Sequence, residues 1–326
     1  MNWESERLIW KNKIKSRTFD FEEMALKLFY FQYQINGVYK AYADLIKRTP
    51  ESVKDIHEIP FLPIHFFKEF QIKTGNFVSE VTFKSSGTSH AARSQHEIRD
   101  LDWYHWVSAA CFDQAYTPYI HKDFNHLGYL PSYAANPHSS LLSMINFFIR
   151  ESEGGYYHDR PELIINKVEE KKGKRCLLWG VSYALYQWQG HQEWLDKCTI
   201  IETGGMKGHE REMTREELHE KIKLNFGVGL VHSEYGMSEL LSQSYSMGSG
   251  LFSPSFTTKI LPRCINDPLS IEKNNQTAAL NIIDLANMDS CAFIATDDIG
   301  KKYDSDTFIV TGRLDNSDIR GCNLLV

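Results

Sequence analysis

The sequence contains no long hydrophobic run, no excess of basic residues and no closely spaced cysteine pair. Its most apolar stretch, Leu141 to Ile149, is interrupted by polar residues and is too short to span a bilayer. With 36 Lys and Arg residues against 42 Asp and Glu residues, the formal net charge is −6. This balance removes the attraction on which binding to nucleic acid or anionic lipid depends, so neither is expected as a partner.

The six cysteines are scattered and match no metal-ligand spacing; they are Cys111, Cys176, Cys198, Cys264, Cys291 and Cys322. The first residues, MNWESERLIWKNKIK, lack the apolar core of a secretory signal peptide. We therefore expect a cytoplasmic protein in which most of the cysteines are reduced and buried.

The sequence does contain the apolar material for a large core. Hydrophobic residues make up 42% and aromatic residues 13% of its 326 residues, as in globular proteins. That length accommodates one large domain or two ordinary ones. In the N-terminal third, Asp20 with Glu23 forms a helix-capping signature, and residues 101–116 have helical spacing. The two prolines between Pro60 and Phe70 indicate an extended segment.

Apolar runs and helical patterns alternate in the middle of the chain. Strands are predicted at 176–181, 198–202 and 228–232; helices are predicted at 182–195 and after the capping box of Thr214 and Glu217. This order favours parallel strands with right-handed crossovers. After about residue 256, short strands such as 279–285 and 307–311 alternate with turn residues. We predict an α/β core over 1–255 with a helical N-terminal part, and a smaller β-rich region over 256–326.

Ligands of open α/β sheets bind beyond the carboxyl ends of the strands. Two polar segments follow predicted strands there, ETGGMKGHE after residue 201 and SEYGMSE after residue 232. Because the strands are predicted to be parallel, both segments are expected to face one crevice.

Lys84 to Ser89 (KSSGTS) is a hydroxyl-rich turn. Its backbone N–H groups and hydroxyls can bind a phosphate, although ordinary surface turns share this composition. The frame of a Walker A loop is absent.

Tyr235 to Glu239 (YGMSE) combines an aromatic face, a glycine and a carboxylate. Tyrosine can stack on a base, and Glu239 is a hard oxygen ligand that suits Mg²⁺. Alternatively, Glu239 lies in the first turn of a helix that follows the strand. A G-x-S-x-G nucleophile elbow is excluded here by Leu240, and by Ala184 at the other G-x-S.

Two further polar segments lie in the C-terminal region. Thr296 to Gly300 (TDDIG) carries paired carboxylates and is predicted to form a hairpin corner. Gly312 to Asp315 (GRLD) is typical of a polar turn that ends a strand. Neither segment alone indicates a function.

In chain order, these motifs resemble those of the acyl-adenylate-forming superfamily: a Ser/Thr-rich loop, then GG, YGMSE, TDDIG and GRLD. Within it, the chain is most similar to the acyl-protein synthetase (LuxE) family of bacterial bioluminescence, and more distantly to phenylacetate–CoA ligases. The segments that carry the resemblance begin at about residue 55; they are PFLPIHFFK, FKSSGTS, LPSYAANPHSSLLSM, LWGVSYALYQW, ETGGMKGHERE, SEYGMSE and TGRLDNSDIRGCNLL.

The resemblance implies the fold of the large N-terminal domain of adenylate-forming enzymes, with ATP and Mg²⁺ as cofactors. Because few residues follow Asp315, it also implies that the mobile lid domain is missing. The residues that match nucleotide-binding positions are Ser85, Ser86, Gly87, Thr88, Gly204, Gly205, Tyr235, Gly236, Ser238, Asp298 and Arg313. Of these, Tyr235 would stack on adenine, Asp298 (or else Asp297) and Arg313 would contact the ribose, and Glu239 would hold Mg²⁺. The loop departs from the common pattern at 90–93, which reads HAAR.

The implied reaction is attack of a carboxylate, such as that of a fatty acid, on the α-phosphate of ATP, which yields acyl-AMP and pyrophosphate. The lid domain of large superfamily members supplies a catalytic lysine, which Lys84, Lys207 or a partner protein would replace here. His138 and Ser139 match positions that line the acyl pocket.

Cys322 matches the cysteine that carries the acyl group in LuxE-type enzymes. The positive charge of Arg320 would favour its thiolate, whereas the apolar Leu324, Leu325 and Val326 also fit a buried strand cysteine. Coenzyme A, a carrier protein or an acyl reductase are the alternative acceptors. A different alternative is a nucleotide-binding scaffold subunit that has lost catalysis.

Overall fold

The computed structural model describes residues 3–85, 93–130, 136–152, 154–157, 162–170, 174–188, 198–204 and 213–314. The helices are α1 Trp3–Ser16, α2 Phe21–Ile35, α3 Gly37–Leu45, α4 Phe66–Glu69, α5 Leu101–Ala115, α6 Ser140–Ser152, α7 Glu162–Glu170, α8 Ser182–Tyr186 and α9 Arg215–Phe226. The strands are β1 Leu62–Pro63, β2 Val81–Lys84, β3 Gln95–Ile98, β4 Phe124–Tyr129, β5 Gly155–Tyr156, β6 Arg175–Val181, β7 Cys198–Thr203, β8 Val231–Tyr235, β9 Ser244–Ser246, β10 Thr258–Arg263, β11 Thr277–Asp284, β12 Phe293–Lys302 and β13 Phe308–Arg313.

A mostly parallel sheet of order β5-β4-β6-β7-β8-β9 forms the centre of the α/β part, with only β9 antiparallel to its neighbour. Successive side chains of β6 and β7 point to opposite faces, and both faces are buried. Leu177, Trp179 and Ile201 belong to the core that includes α5 and α6, whereas Leu178 and Ile200 pack with residues of α7, α8 and α9. The α/β class predicted from the alternating pattern is confirmed.

A second sheet gathers the C-terminal strands. Strands β10, β11, β12 and β13 pair antiparallel in that order, and β1 adds to β12 in parallel. The prediction of a hairpin corner at Thr296–Gly300 is wrong, because these residues lie inside β12. Asp298 is tolerated in the middle of a strand because Arg313 is its register partner on β13.

The N-terminal helices dock on the connection between β11 and β12. Asp20 caps α2 by accepting a hydrogen bond from Glu23 N at 2.8 Å, which confirms the capping signature. Further along α2, the amide of Gln32 donates to three backbone carbonyls within 287–290, each at 3.2 Å. Arg7 of α1 forms a buried ion pair with Asp289, at 2.6 Å from Nε to Oδ1.

Several element boundaries differ from the predicted ones. The helix that begins at Ser182 ends at Tyr186, and residues 189–197 lie outside the described part of the chain. The strand predicted at 228–232 begins only at Val231, since Gly227 ends α9 in the left-handed conformation and residues 228–230 are irregular. The segment from Pro60 to Phe70 is extended at first but then forms α4. The domain boundary at 255/256 stays a prediction. In the described ranges, no helix has the length and apolar content that a membrane span needs.

Candidate active site

The carboxyl ends of β7 and β8 lie side by side, since Thr203 pairs with Glu234 in the parallel register. The residues that follow, Gly204 and Tyr235, therefore leave the sheet at the same edge, as the topological argument predicted. Gly204 is exposed, has a φ of +82° and has open space where a Cβ would be. The residues after it, including the predicted site residues Gly205 and Lys207, lie outside the described part.

At this edge the structure brings Tyr235, Asp298 and Arg313 together. The Tyr235 hydroxyl donates to Asp298 Oδ2 at 2.7 Å, and Arg313 Nε lies 3.1 Å from Asp298 Oδ1. Asp297 is farther from the arginine, with 4.0 Å between Oδ2 and Nη2. Burial and the Asp298 carboxylate raise the pKa of Tyr235, so its hydroxyl stays protonated and donates. Because the Arg313 side chain is 40% exposed, a ligand can reach this group.

Strands β2 and β3 form a hairpin that carries the Ser/Thr-rich loop at its tip, and Lys84 pairs with Gln95 as its last register pair. At the base of the loop, Ser85 N donates to Ser94 O at 3.2 Å, and Ser94 N donates to Ser85 Oγ at 3.1 Å. The predicted phosphate-binding residues Ser86, Gly87 and Thr88 lie outside the described residues.

Glu239 lies next to the base of this loop and is only 4% exposed. Burial raises the pKa of its carboxyl group, and the nearby hydroxyls of Ser94 and Ser238 act against this shift. No helix begins there: Leu240 N donates to Met237 O in a turn, and the next element is β9. The alternative of a first helical turn is therefore wrong.

The donor chemistry at Glu239 fits Mg²⁺. A buried carboxylate whose partners are hydroxyl and backbone groups keeps oxygen lone pairs for a hard cation. Within the described ranges, no three His, Cys, Asp or Glu side chains gather into a complete metal site.

Three residues that sequence reasoning missed hold the backbone around Glu239. His96 Nδ1 donates to Ser238 O at 2.7 Å, and Asn287 Nδ2 donates to Glu239 O at 2.8 Å. Asp284 accepts from the backbone N–H groups of residues 241 and 242 at 2.9 and 3.0 Å. None of the three belongs to a recognisable motif, and His96 and Asn287 are 191 residues apart, so no local signal could have indicated them.

The predicted pocket residues lie beside β2. Lys84 N donates to His138 O at 2.9 Å, and His138 Nδ1 donates to Thr82 O at 3.0 Å. Ser139 is 5% exposed, and its hydroxyl accepts from Leu142 N at 3.2 Å in the first turn of α6. Their roles toward a substrate stay predictions, as does that of Cys322, which lies outside the described part of the chain.

Two buried glutamates lie near the strand ends and were not predicted as functional. Glu202 accepts from Ser182 Oγ at 2.5 Å and pairs with Arg215 Nη1 at 2.9 Å. Glu234 accepts from Thr203 Oγ1 at 2.5 Å, and burial raises its pKa to about 7. A Cβ at Gly236 would lie only 2.4 Å from Glu234 Oε1, so any larger residue at 236 would require the Glu234 carboxylate to shift.

Ser233, His219 and Glu202 also lie together but do not form a catalytic triad. His219 Nε2 faces both Ser233 Oγ, at 3.1 Å, and Glu202, at 3.7 Å, whereas a triad uses the two ring nitrogens separately. Ser233 is also fully buried. The cluster is a packed polar network.

No protein-family model matches the sequence, and no curated protein does. Among solved structures, ATP-bound MatB from Rhodopseudomonas palustris is similar with a TM-score of 0.52 at 12% identity, over 73% of this chain and 49% of MatB. The luciferase-like enzyme of the nonluminescent mealworm Zophobas morio has a TM-score of 0.51 at 17% identity, over 77% of this chain and 61% of that one.

O-succinylbenzoate coenzyme A synthetase (MenE) from Bacillus subtilis, in complex with AMP, has a TM-score of 0.50 at 16% identity, over 74% of this chain and 50% of MenE. This chain thus spans less than two thirds of each of these three proteins. At such identities the likeness shows the fold alone. The chain has the α/β fold of the large N-terminal domain of adenylate-forming enzymes.

Proposed function

We propose that the protein activates a carboxylic acid with ATP to form an acyl-adenylate. The observation that carries this proposal is the group of Tyr235, Asp298 and Arg313. Tyr235 belongs to the YGMSE segment, which also contains Glu239. A carboxylate held beside a guanidinium and a tyrosine can accept hydrogen bonds from two ribose hydroxyls. The fold, shared with structures that contain ATP or AMP, supports the same assignment.

In this proposal the base of the Ser/Thr-rich loop receives the phosphates. Ser85 belongs to that base, and Glu239 is adjacent to it through Ser94. Mg²⁺ bound at Glu239 would neutralise charge on the phosphate oxygens, where charge builds up during transfer. The residues of the chain then orient the α-phosphate toward the attacking carboxylate. Lys84 and Lys207 are the proposed replacements for the lysine that large adenylating enzymes carry in their lid.

For the acyl acceptor we propose a thiol, and specifically Cys322, with a fatty acid as the substrate and a pocket near His138 and Ser139. With this acceptor, the proposed activity is that of an acyl-protein synthetase. The second candidate is transfer to coenzyme A, which is favoured by the fold likeness to a coenzyme A synthetase. A carrier protein or an acyl reductase is the other proposed acceptor of the acyl group.

ATP–pyrophosphate exchange with a panel of carboxylic acids of different chain length tests the adenylation step. We expect Mg²⁺-dependent exchange with at least one acid. ATP binding without exchange for any acid would instead support a nucleotide-binding scaffold.

A labelled acid distinguishes the two acceptors. We expect wild-type protein to acquire a hydroxylamine-labile acyl label, and Cys322→Ala to lose the label while it keeps the exchange activity. A wild-type chain that never becomes labelled, but forms acyl-coenzyme A, would contradict the role of Cys322.

A further inference from the structure

The end of β11 and the β11–β12 connection form hydrogen bonds to the segment that contains Glu239, residues 238–242. Asn287 Nδ2 donates to Glu239 O at 2.8 Å, and Asp284 binds the N–H groups of residues 241 and 242. Asp284 also accepts from Ser242 Oγ at 2.7 Å. The last residue of β11 and the connection that follows it therefore contact the Glu239 segment at four atoms, between residues 239 and 242.

The β2–β3 hairpin, which bears the Ser/Thr-rich loop, contacts the same segment at Ser238. His96 of β3 is 1% exposed, and its Nδ1 donates to Ser238 O at 2.7 Å. Its Nε2 lies 3.1 Å from Asn287 Oδ1. Phe67 packs edge-on against the imidazole, with 5.7 Å between ring centroids, and limits its rotation. Ser94, two residues earlier on the hairpin, contacts the Glu239 carboxylate itself.

These hydrogen bonds differ from those of a helix or a strand, in which backbone carbonyls accept from backbone N–H groups. In the described part of the chain, the carbonyls of Ser238 and Glu239 receive their hydrogen bonds from the side chains of His96 and Asn287. A turn whose direction is set by side chains can shift when one of them is removed, while the sheets on either side keep their own ladders. The contact network is also anchored, because Gln32 of α2 binds carbonyls at 287, 288 and 290.

We propose that His96 and Asn287 are positioning residues that hold the Glu239 carboxylate against the base of the Ser/Thr-rich loop, where a magnesium–nucleoside triphosphate complex binds. This inference rests on the proposed nucleotide site but not on the identity of the acid. His96 and Asn287 touch neither nucleotide nor metal in this arrangement; they act through the backbone of Ser238 and Glu239. Their removal is therefore expected to change the Mg²⁺ requirement more than the KM for the acid.

The chain offers matched variants for a test. Asn287→Ala removes the donor to Glu239 O. Asn225→Ala is its control, since the Asn225 amide likewise donates to backbone carbonyls, those of Leu185 and Tyr186, away from the Glu239 segment. At position 96, asparagine places its amide nitrogen near the position of Nδ1, whereas glutamine reaches the position of Nε2. His96→Asn should therefore keep the bond to Ser238 O that His96→Ala and His96→Gln lose.

The first measurement is hydrogen–deuterium exchange of the full chain over residues 236–243. We expect faster exchange in Asn287→Ala, His96→Ala and His96→Gln, and near wild-type exchange in His96→Asn and Asn225→Ala. The second measurement is the Mg²⁺ concentration that half-saturates the thermal shift caused by ATP. Loss of one such hydrogen bond should raise it about threefold to tenfold.

The two measurements separate this inference from the proposed function. Unchanged amide exchange in Asn287→Ala and His96→Gln overturns the positioning role, whatever the enzyme does. An Mg²⁺ requirement that rises equally in Asn225→Ala also overturns it, because the effect would then follow general stability. If the variants behave as expected but wild-type protein exchanges pyrophosphate with no acid, the positioning role stands and the adenylation proposal fails. Should Asn287→Ala not fold, the three variants at position 96 decide whether the positioning role holds.

Discussion

Asp298 shares its two carboxylate oxygens between a neutral donor and a cation. The Tyr235 hydroxyl binds one oxygen and the Arg313 guanidinium lies beside the other. A ligand hydroxyl that binds here must therefore donate to the remaining lone pairs of the Asp298 carboxylate. Tyr235 and Arg313 fix the directions of these lone pairs because they orient the carboxylate. The tyrosine ring packs against Phe252 and Phe308, with ring centroids 5.7 and 5.4 Å away, so its hydroxyl is held in place.

Tyr235→Phe removes this hydroxyl and leaves the ring. We expect the affinity for ATP to fall about threefold to tenfold, because Asp298 loses a hydrogen bond that orients it. Titration calorimetry measures this directly. Tyr245→Phe is the matched control, since within the described residues the only polar contact of the buried Tyr245 hydroxyl is to Met144 Sδ, at 4.0 Å. Equal losses of affinity in both variants would refute the role of Tyr235.

Glu239→Gln keeps the shape of the side chain and removes its charge. Burial raises the pKa of Glu239, which means that the ionised form is disfavoured in the folded chain. The variant is therefore expected to be at least as stable as wild type in thermal denaturation. Pyrophosphate exchange, in contrast, should fall by about a hundredfold or more, since a charged metal ligand is lost. An unchanged Mg²⁺-dependent exchange rate would show that Glu239 does not bind the metal.

At the scale of elements, the β12–β13 hairpin delivers two of the three clustered residues. Asp298 and Arg313 are register partners, and an irregularity between Ile299 and Gly300 follows the pair. The position of Arg313 thus depends on how closely β13 approaches β12. A Cβ at Gly300 would lie 2.1 Å from the Ile309 carbonyl oxygen, which is a backbone atom and cannot rotate away.

Gly300→Ala should therefore push β13 away from β12. We expect a loss of about 1–3 kcal/mol in the free energy of unfolding, as is typical of overpacking, together with weaker ATP binding as Arg313 moves from Asp298. Urea denaturation and a nucleotide titration measure the two effects. Gly312→Ala is the control for stability, because a Cβ at Gly312 meets no atom within 4 Å. If both variants unfold at the same urea concentration, the close approach at Gly300 does not matter.

The helix caps were the most predictable part of the structure. Asp20 and Thr214 each cap a helix by accepting a hydrogen bond from the backbone N–H of the residue three positions on, and this pattern is contained in a few consecutive residues. The TDDIG segment was interpreted wrongly for the opposite reason. Its membership of β12 depends on β11 and β13, which no local pattern reveals.

At the scale of the whole molecule, buried titratable groups shift in opposite directions and make stability depend on pH. Burial lowers the pKa of His96, His126 and His232 from 6.5 to about 4, whereas it raises the pKa of Glu234 from 4.5 to about 7. The unfolded chain binds more protons than the folded one at the histidines between pH 4 and 6.5. At Glu234 the folded chain binds more, between pH 4.5 and 7.

Glu234→Gln isolates one of these contributions. In wild type, the stability from the protonated Glu234 is fully present below pH 4.5 and is lost as the pH rises to 7, by at most about 1.4 kcal/mol per pH unit. The variant cannot ionise at position 234, so it does not lose this contribution to stability as the pH rises. We therefore expect its free energy of unfolding, relative to wild type, to increase from pH 5 to pH 7.5 in urea denaturation.

His126→Gln provides the opposite case. The Nδ1 atom of His126 accepts from Trp179 Nε1 at 2.9 Å, which agrees with a neutral ring. In wild type, the stability that comes from the neutral His126 falls as the pH drops from 6.5 to 4. The variant should therefore lose less free energy of unfolding over this range. Parallel pH profiles for wild type and both variants would contradict the shifted pKa values.

The sequence by itself determined the class of fold, the capped helices, the main strands and the order of the motifs. These follow from periodicity and turn chemistry, which act over a few residues, and from the topology that alternating elements impose. The likeness of fold to MatB and MenE agrees with that interpretation.

Only the tertiary structure decided which side chains meet. Tyr235 reaches Asp298 across 63 residues, and His96 reaches Asn287 across 191. Such contacts depend on the register of β12 with β13 and on the docking of the hairpin against the β11–β12 connection. Two short side chains in contact leave no periodic signal in the sequence, because their proximity is a property of the packed sheets rather than of the chain around them.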